Sequence, residues 1–131
     1  MQPRKVKILT AKMGLDCHDT GIVTISNMLK NAGYEVIYLG LHNTAEKIVQ
    51  AAIDEDVRVI GISFLSGQHM TQARKLMDAI RDQGEDFAVM VGGVIPKSDI
   101  SRLEAMGIRK VFTPGAMVKD IEAYIAKEFS V

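Results

Sequence analysis

The sequence predicts an α/β domain built on a doubly wound, five-stranded parallel sheet, and three observations lead there. Five short apolar runs rich in β-branched residues are spread along the chain. Between them the apolar spacing changes to the helical period, so strand and helix alternate strictly. The first and third runs are nearly continuously apolar, as strands buried on both faces of a parallel sheet must be.

Taken in order, the strands are expected at 6–11, 35–39, 57–63, 87–91 and 110–112. A first helix is marked by Ile22, Ile25, Met28, Leu29 and Ala32, and a second by Ala45, Ile48, Val49, Ala52 and Ile53. Met70, Ala73, Leu76, Met77 and Ile80 mark a third. Ile100 and Leu103 mark a short fourth, and Val118, Ile121, Tyr124 and Ile125 a fifth. Gly33, Gly84 and Gly107 each fall just past a helix, where a left-handed residue is wanted, while Asn43 and Ser98 are placed to cap helix N-termini. Right-handed crossovers then give a flavodoxin-like sheet of order 2-1-3-4-5, which binds ligands outside the carboxyl ends of its strands where the order reverses.

Composition narrows the partners. The 131 residues fit one domain, 1–131, with no linker or repeat, and 47% are hydrophobic. Sixteen Lys plus Arg balance sixteen Asp plus Glu, so the basic excess that nucleic acid demands is absent. No apolar run approaches the ~20 residues that span a bilayer, and the start leads into a strand pattern rather than a signal-peptide core. Cys17 is the single cysteine, which fits a reducing compartment. No nucleic acid, no membrane and a cytoplasmic setting are expected.

The strand ends carry the functional signal. After the first strand comes the run from Lys12 to Gly21, far longer than the ~2 to 6 residues that a βα connection needs. Ser63, Leu65, Ser66 and Gly67 follow the third strand, Gly92 and Gly93 the fourth, and Thr113, Pro114 and Gly115 the fifth. Small residues at neighbouring strand ends open a slot in which a flat ligand can lie against backbone. Other occupants of this architecture lack their residues. A phosphoacceptor receiver needs aspartate where Ser63 stands, and a low-molecular-weight tyrosine phosphatase needs arginine six residues after its cysteine, where Val23 stands. A flavodoxin wants a Ser/Thr-rich phosphate loop and aromatic cover, but aromatics are only 5% here.

Within the first loop Asp16 and His18 lie two residues apart, with Gly21 expected to close the turn. A carboxylate on one ring nitrogen fixes the imidazole tautomer and strengthens the other nitrogen as a metal donor. One His and one Asp do not make a free-standing metal site, yet they suffice as an axial ligand to a metal already held by a macrocycle. An ordinary solvent-exposed loop histidine fits the same spacing.

Together these residues resemble the cobalamin-binding domain of carbon-skeleton mutases and methionine synthases, whose signature is Asp-x-His-x-x-Gly, then Ser-x-Leu, then Gly-Gly. Here these are Asp16, His18 and Gly21, Ser63 and Leu65, and Gly92 and Gly93. The likeness runs from about Val6 to about Phe129. It is nearest to methylmalonyl-CoA mutases and the small subunits of 2-hydroxyisobutyryl-CoA mutases, through Lys12 with 14–16, 65–69, 91–96 and 113–115. The resemblance implies adenosylcobalamin as cofactor, with His18 as the lower axial ligand of cobalt, Asp16 its hydrogen-bond partner and Lys12 the next member of the relay. It implies a nucleotide-tail pocket at Ser63, Leu65, Gly92 and Gly93. Asp19, Gly21, Ser66, Gly67, Thr113, Pro114 and Gly115 complete the expected cofactor-binding set.

The activity so implied is isomerase chemistry: a radical 1,2 rearrangement of an acyl-CoA. The substrate would sit in a larger TIM-barrel subunit, since such a barrel takes ~250 residues. Met13, Cys17 and Thr20 depart from the mutase pattern, which often has proline, glycine and arginine there. Cys17 is shared with glutamate mutase small subunits, one alternative reading, and a corrinoid carrier for methyl transfer is the other. Methyl carriers commonly have a helical cap ahead of this domain, whereas here the first strand is expected about six residues in. His42 and His69 each follow a strand end, where either reaches the corrin rim or is a plain polar residue.

Overall fold

The structure is a computed structural model, and it describes residues 6–14, 20–64, 68–112 and 118–129. The strands are β1 (Lys7–Ala11), β2 (Glu35–Tyr38), β3 (Val59–Phe64), β4 (Ala88–Gly93) and β5 (Lys110–Phe112). They alternate with the helices α1 (Thr20–Asn31), α2 (Ala45–Asp54), α3 (His69–Asp82), α4 (Lys97–Ala105) and α5 (Val118–Phe129). All pair in parallel in the order β2-β1-β3-β4-β5, so the expected topology holds and the order reverses between β1 and β3.

Period-2 alternation divides the strand side chains between two cores. Leu9, Ala11, Ile60, Ile62, Phe64, Val89 and Val91 face the apolar stripes of α2 and α3 and Leu103 of α4. Ile8, Val36, Val59, Ala88 and Met90 face Leu29 of α1 and Ile121 and Ile125 of α5. Each strand of the centre is therefore buried on both sides, and its apolar run follows from that.

Gly33, Gly84 and Gly107 take φ of 99°, 68° and 108°, as their places past α1, α3 and α4 require. The two expected caps do not form. The Asn43 amide is oriented by its two donated bonds, to the carbonyls of Lys12 at 3.0 Å and Gly40 at 2.9 Å, and its Oδ1 accepts from no helix N–H. Thr44 caps α2 instead, its Oγ1 accepting from the Lys47 amide at 3.1 Å. Ser98 lies inside α4, because the N-cap position falls at Pro96, at φ −57° and ψ 138°, two residues earlier. Gly21 does not close the loop either. It sits in the first turn of α1, which starts at Thr20.

Strand ends shift by a residue or two for a visible reason. β3 starts at Val59 rather than Val57 because the Val57 amide still bonds back to the Ala52 carbonyl of α2, at 3.1 Å. At the other end β3 and β4 run on to Phe64 and Gly93, paired Ser63 with Gly92 and Phe64 with Gly93. The glycine pair is thus part of the sheet and not a turn after it.

Candidate functional site

The sheet face toward α1 and α5 loses its side chains as the strands approach their carboxyl ends. Register places Ile8, Val59 and Ala88 in one row, Thr10, Gly61 and Met90 in the next, and Ser63, Gly92 and Phe112 in the last. Along β1 and β3 bulk falls from Ile8 and Val59 to Thr10 and Gly61, and then to Ser63 beside Gly92, with Met90 and Phe112 left as side walls. A cavity of about 190 Å³ opens there, roofed by Gly21, Ile22 and Ile25 of α1 and by Ile121 and Ile125 of α5. Ser63, Gly92 and Gly93 line it, so four of the expected cofactor-binding residues, with Gly21, meet at one place.

Two glycines have separate reasons. Gly93 has φ +121°, and a Cβ there would collide with the Phe64 carbonyl oxygen. At Gly92 a Cβ would come within 3.3 Å of the Phe112 carbonyl oxygen and would narrow the cavity. Gly93 therefore serves the backbone, and Gly92 the opening.

Lys12 follows β1 and is fully buried, with its ammonium donating to the Ser63 carbonyl at 2.8 Å. This bond spans the point where the strand order reverses. A buried ammonium needs both hydrogen bonding and a counter-charge. The main chain around Lys12 is held by a continuation of the β1–β2 pairing. The Lys12 amide donates to the Gly40 carbonyl at 3.0 Å, the Asn43 amide to the Lys12 carbonyl at 3.1 Å, and the Gly14 amide to the Asn43 carbonyl at 3.2 Å. Asn43 thereby fixes where the long loop leaves the sheet.

Asp16, Cys17, His18 and Asp19 lie outside the described residues, as do Leu65, Ser66 and Gly67 and Thr113, Pro114 and Gly115. His42 is exposed in the β2–α2 turn with φ +59°. His69 is buried, and its Nε2 meets Asp99 Oδ2 at 2.7 Å.

Sequence reasoning passed over Thr10, Ser26 and Gly61. Ser26 spends its single proton on the Ile22 carbonyl at 2.7 Å, so Thr10 must donate across the 2.7 Å contact between the two hydroxyls. Both side chains are buried, and the bond ties α1 to β1 beside the cavity. A glycine inside an otherwise apolar strand often marks close approach by a ligand, and Gly61 carried that signal.

A family model described as the B12 binding domain matches residues 6–121. The chain belongs to the B12-binding domain family. Within it, the chain is 38% identical over 131 residues to the 2-hydroxyisobutanoyl-CoA mutase small subunit of Aquincola tertiaricarbonis, covering 96% of each chain. It is 41% identical over 119 residues to the pivalyl-CoA mutase small subunit of Xanthobacter autotrophicus, covering 90% of this chain and 80% of that one. A probable methylmalonyl-CoA mutase large subunit of Mycobacterium tuberculosis is 40% identical over 118 residues, which are 89% of this chain but only 16% of that protein. Among solved structures, a cobalamin-binding protein from Desulfitobacterium hafniense superposes with a TM-score of 0.81 at 22% identity, over 94% of this chain and 58% of that one. A response-regulator receiver domain from Mycobacterium tuberculosis reaches 0.72 at 12% identity, over 95% and 96%. These last two likenesses speak to fold alone. The B12-binding domain and the receiver share a frame and differ in what stands at the strand ends, where this chain has Ser63.

Proposed function

We propose that the chain is the cobalamin-binding small subunit of an adenosylcobalamin-dependent acyl-CoA mutase, an isomerase that works with a larger, barrel-shaped subunit holding the CoA thioester. The observation that carries the cofactor half is the glycine-lined cavity beside the sheet, in a chain of the B12-binding domain family. The mutase half rests on the near full-length match to two acyl-CoA mutase small subunits. Among the described residues no helix is long and apolar enough to cross a membrane, in keeping with a cytoplasmic setting.

The residues present fit the group. Apolar walls at Ile22, Ile25 and Met90, with bare backbone at Gly61 and Gly92, suit a flat heteroaromatic tail. Thr113, Pro114 and Gly115, together with Leu65, Ser66 and Gly67, would border it, and Asp19 and Gly21 would flank the first loop. His18 would hold the cobalt, with Asp16 accepting its second ring N–H and Lys12 holding Asp16. Bound adenosylcobalamin supplies the cobalt–carbon bond whose homolysis starts a radical 1,2 rearrangement. Lys12 would act through its charge: its ammonium, anchored on the Ser63 carbonyl, would pair with the Asp16 carboxylate, which in turn would orient the imidazole toward the metal.

The test is turnover. With adenosylcobalamin and 2-hydroxyisobutyryl-CoA, pivalyl-CoA or methylmalonyl-CoA, the isolated chain should rearrange nothing, and addition of the larger subunit encoded beside it should restore activity. Rearrangement by the isolated chain, or a partner that proves to be a methyltransferase or a glutamate-type barrel, would overturn the reading.

A further inference from the structure

The first turns of α3 and α4 are joined by a side-chain pair, one member buried and the other partly buried, that the cofactor relay does not use. His69 opens α3 just after 65–67, and Asp99 stands in the first turn of α4, just after the Gly92–Pro96 connection. Their Nε2 and Oδ2 atoms are 2.7 Å apart, with side chains only 6% and 17% exposed. The His69 ring also meets Phe64 edge-on, with centroids 6.4 Å apart. Phe64 in turn accepts the Val94 amide at 3.0 Å and leaves no room for a side chain at Gly93.

A carboxylate accepts only from a protonated nitrogen, so Nε2 carries the proton. Nδ1 is buried and has no hydrogen-bond partner, and such an orphan atom normally costs stability. An apolar residue would pack against Phe64 without that cost. What the histidine adds is a directed, charge-assisted bond from the start of α3 to the start of α4.

We propose that His69 and Asp99 are positioning residues, a clasp that fixes the first turn of α3 against the first turn of α4 and so holds the carboxyl ends of β3 and β4, at Phe64 and Gly93, in place at the mouth of the cobalamin slot. The inference rests on the cofactor reading, yet the clasp itself can be tested without cofactor.

The experiment uses the full chain and two readouts: amide hydrogen exchange at Val94 in the cofactor-free protein, and the dissociation constant for aquocobalamin from visible absorbance. His69→Phe keeps a ring against Phe64 and removes the donor. It should speed exchange at Val94 by about 10-fold and weaken aquocobalamin by about 10-fold, the loss of one hydrogen bond to a charged group. The Leu39 amide, which donates to the Thr10 carbonyl at 2.8 Å far from the clasp, should exchange as in the parent. Asp99→Asn keeps an acceptor and should stay within about 3-fold of the parent on both readouts. If His69→Phe fails to fold, Asp99→Ala, at the more exposed partner, carries the same expectation. Unchanged Val94 exchange and unchanged affinity would overturn the clasp, and so would equal acceleration at Leu39, which marks general destabilisation. If Val94 responds as expected while the parent chain does not bind aquocobalamin, the clasp stands and the cofactor reading falls.

Discussion

The Lys12 ammonium donates to the Ser63 carbonyl across the gap where the strand order reverses, 2.8 Å from β1's extension to β3. A cation is thus built into the floor from which the long first loop departs, with its main chain clamped by Gly40 and Asn43. Asp16 and His18 lie four and six residues further on.

That arrangement ranks three substitutions. Asp16→Asn should weaken cobalamin binding or slow turnover by about 10 to 100-fold, as changes behind a metal ligand do. Lys12→Ala, one step further from the metal, should have a smaller effect of a few-fold, and His18→Ala the largest. Dissociation constants and turnover for the three, with circular dichroism as folding control, check the order. Parental behaviour of Asp16→Asn beside a marked loss in Lys12→Ala would show that the relay is drawn wrongly.

Gly61→Val tests the cavity without touching the relay. A Cβ at Gly61 meets only Thr10 Cγ2 at 3.6 Å and the Leu9 carbonyl oxygen at 4.0 Å, which is ordinary contact. The added methyls would enter the cavity, and valine suits a strand better than glycine does. The cofactor-free variant should therefore melt no lower than the parent. Its affinity for cobalamin should fall by more than about 10-fold, since two methyl groups displaced from a filled slot cost on the order of 1.5 kcal/mol. Titration and thermal melting of the same sample separate the two effects. Parental affinity in a folded variant would remove the tail from this cavity.

Gly93 and Gly92 should part company. Gly93→Ala meets both a left-handed φ and the Phe64 carbonyl, so it should lower stability by several kcal/mol or prevent folding. Gly92→Ala meets the Phe112 carbonyl oxygen at 3.3 Å and needs a shift of a few tenths of an ångström. It should cost about 1 kcal/mol and show itself mainly in cofactor affinity. Denaturant melts of both variants give the comparison, and equal destabilisation would contradict it.

The legible part of the fold was the part governed by period and by glycine. Strand and helix order, the 2-1-3-4-5 sheet and the left-handed Gly33, Gly84 and Gly107 all follow from local pattern. The α2 cap did not, because the Asn43 amide is turned toward the Lys12 carbonyl, and a partner thirty-one residues away leaves no mark in the neighbouring sequence. In the site, Ser63, Gly92 and Gly93 were visible as small residues at strand ends. Thr10 and Ser26 were not, because a buried pair of hydroxyls sixteen residues apart looks like two unrelated polar residues. The pairing of His69 with Asp99, thirty residues away, was hidden for the same reason.

The central claim, that this chain holds cobalamin through His18, is tested most directly by electron paramagnetic resonance of its cob(II)alamin complex. The account predicts that the cofactor binds with its own benzimidazole displaced, and that nitrogen-15 labelling of the protein's histidines changes the superhyperfine pattern from a triplet to a doublet. The change should vanish with His18→Ala. A triplet that survives the labelling would mean that the nitrogen beneath cobalt is not from this protein, and the account would be contradicted.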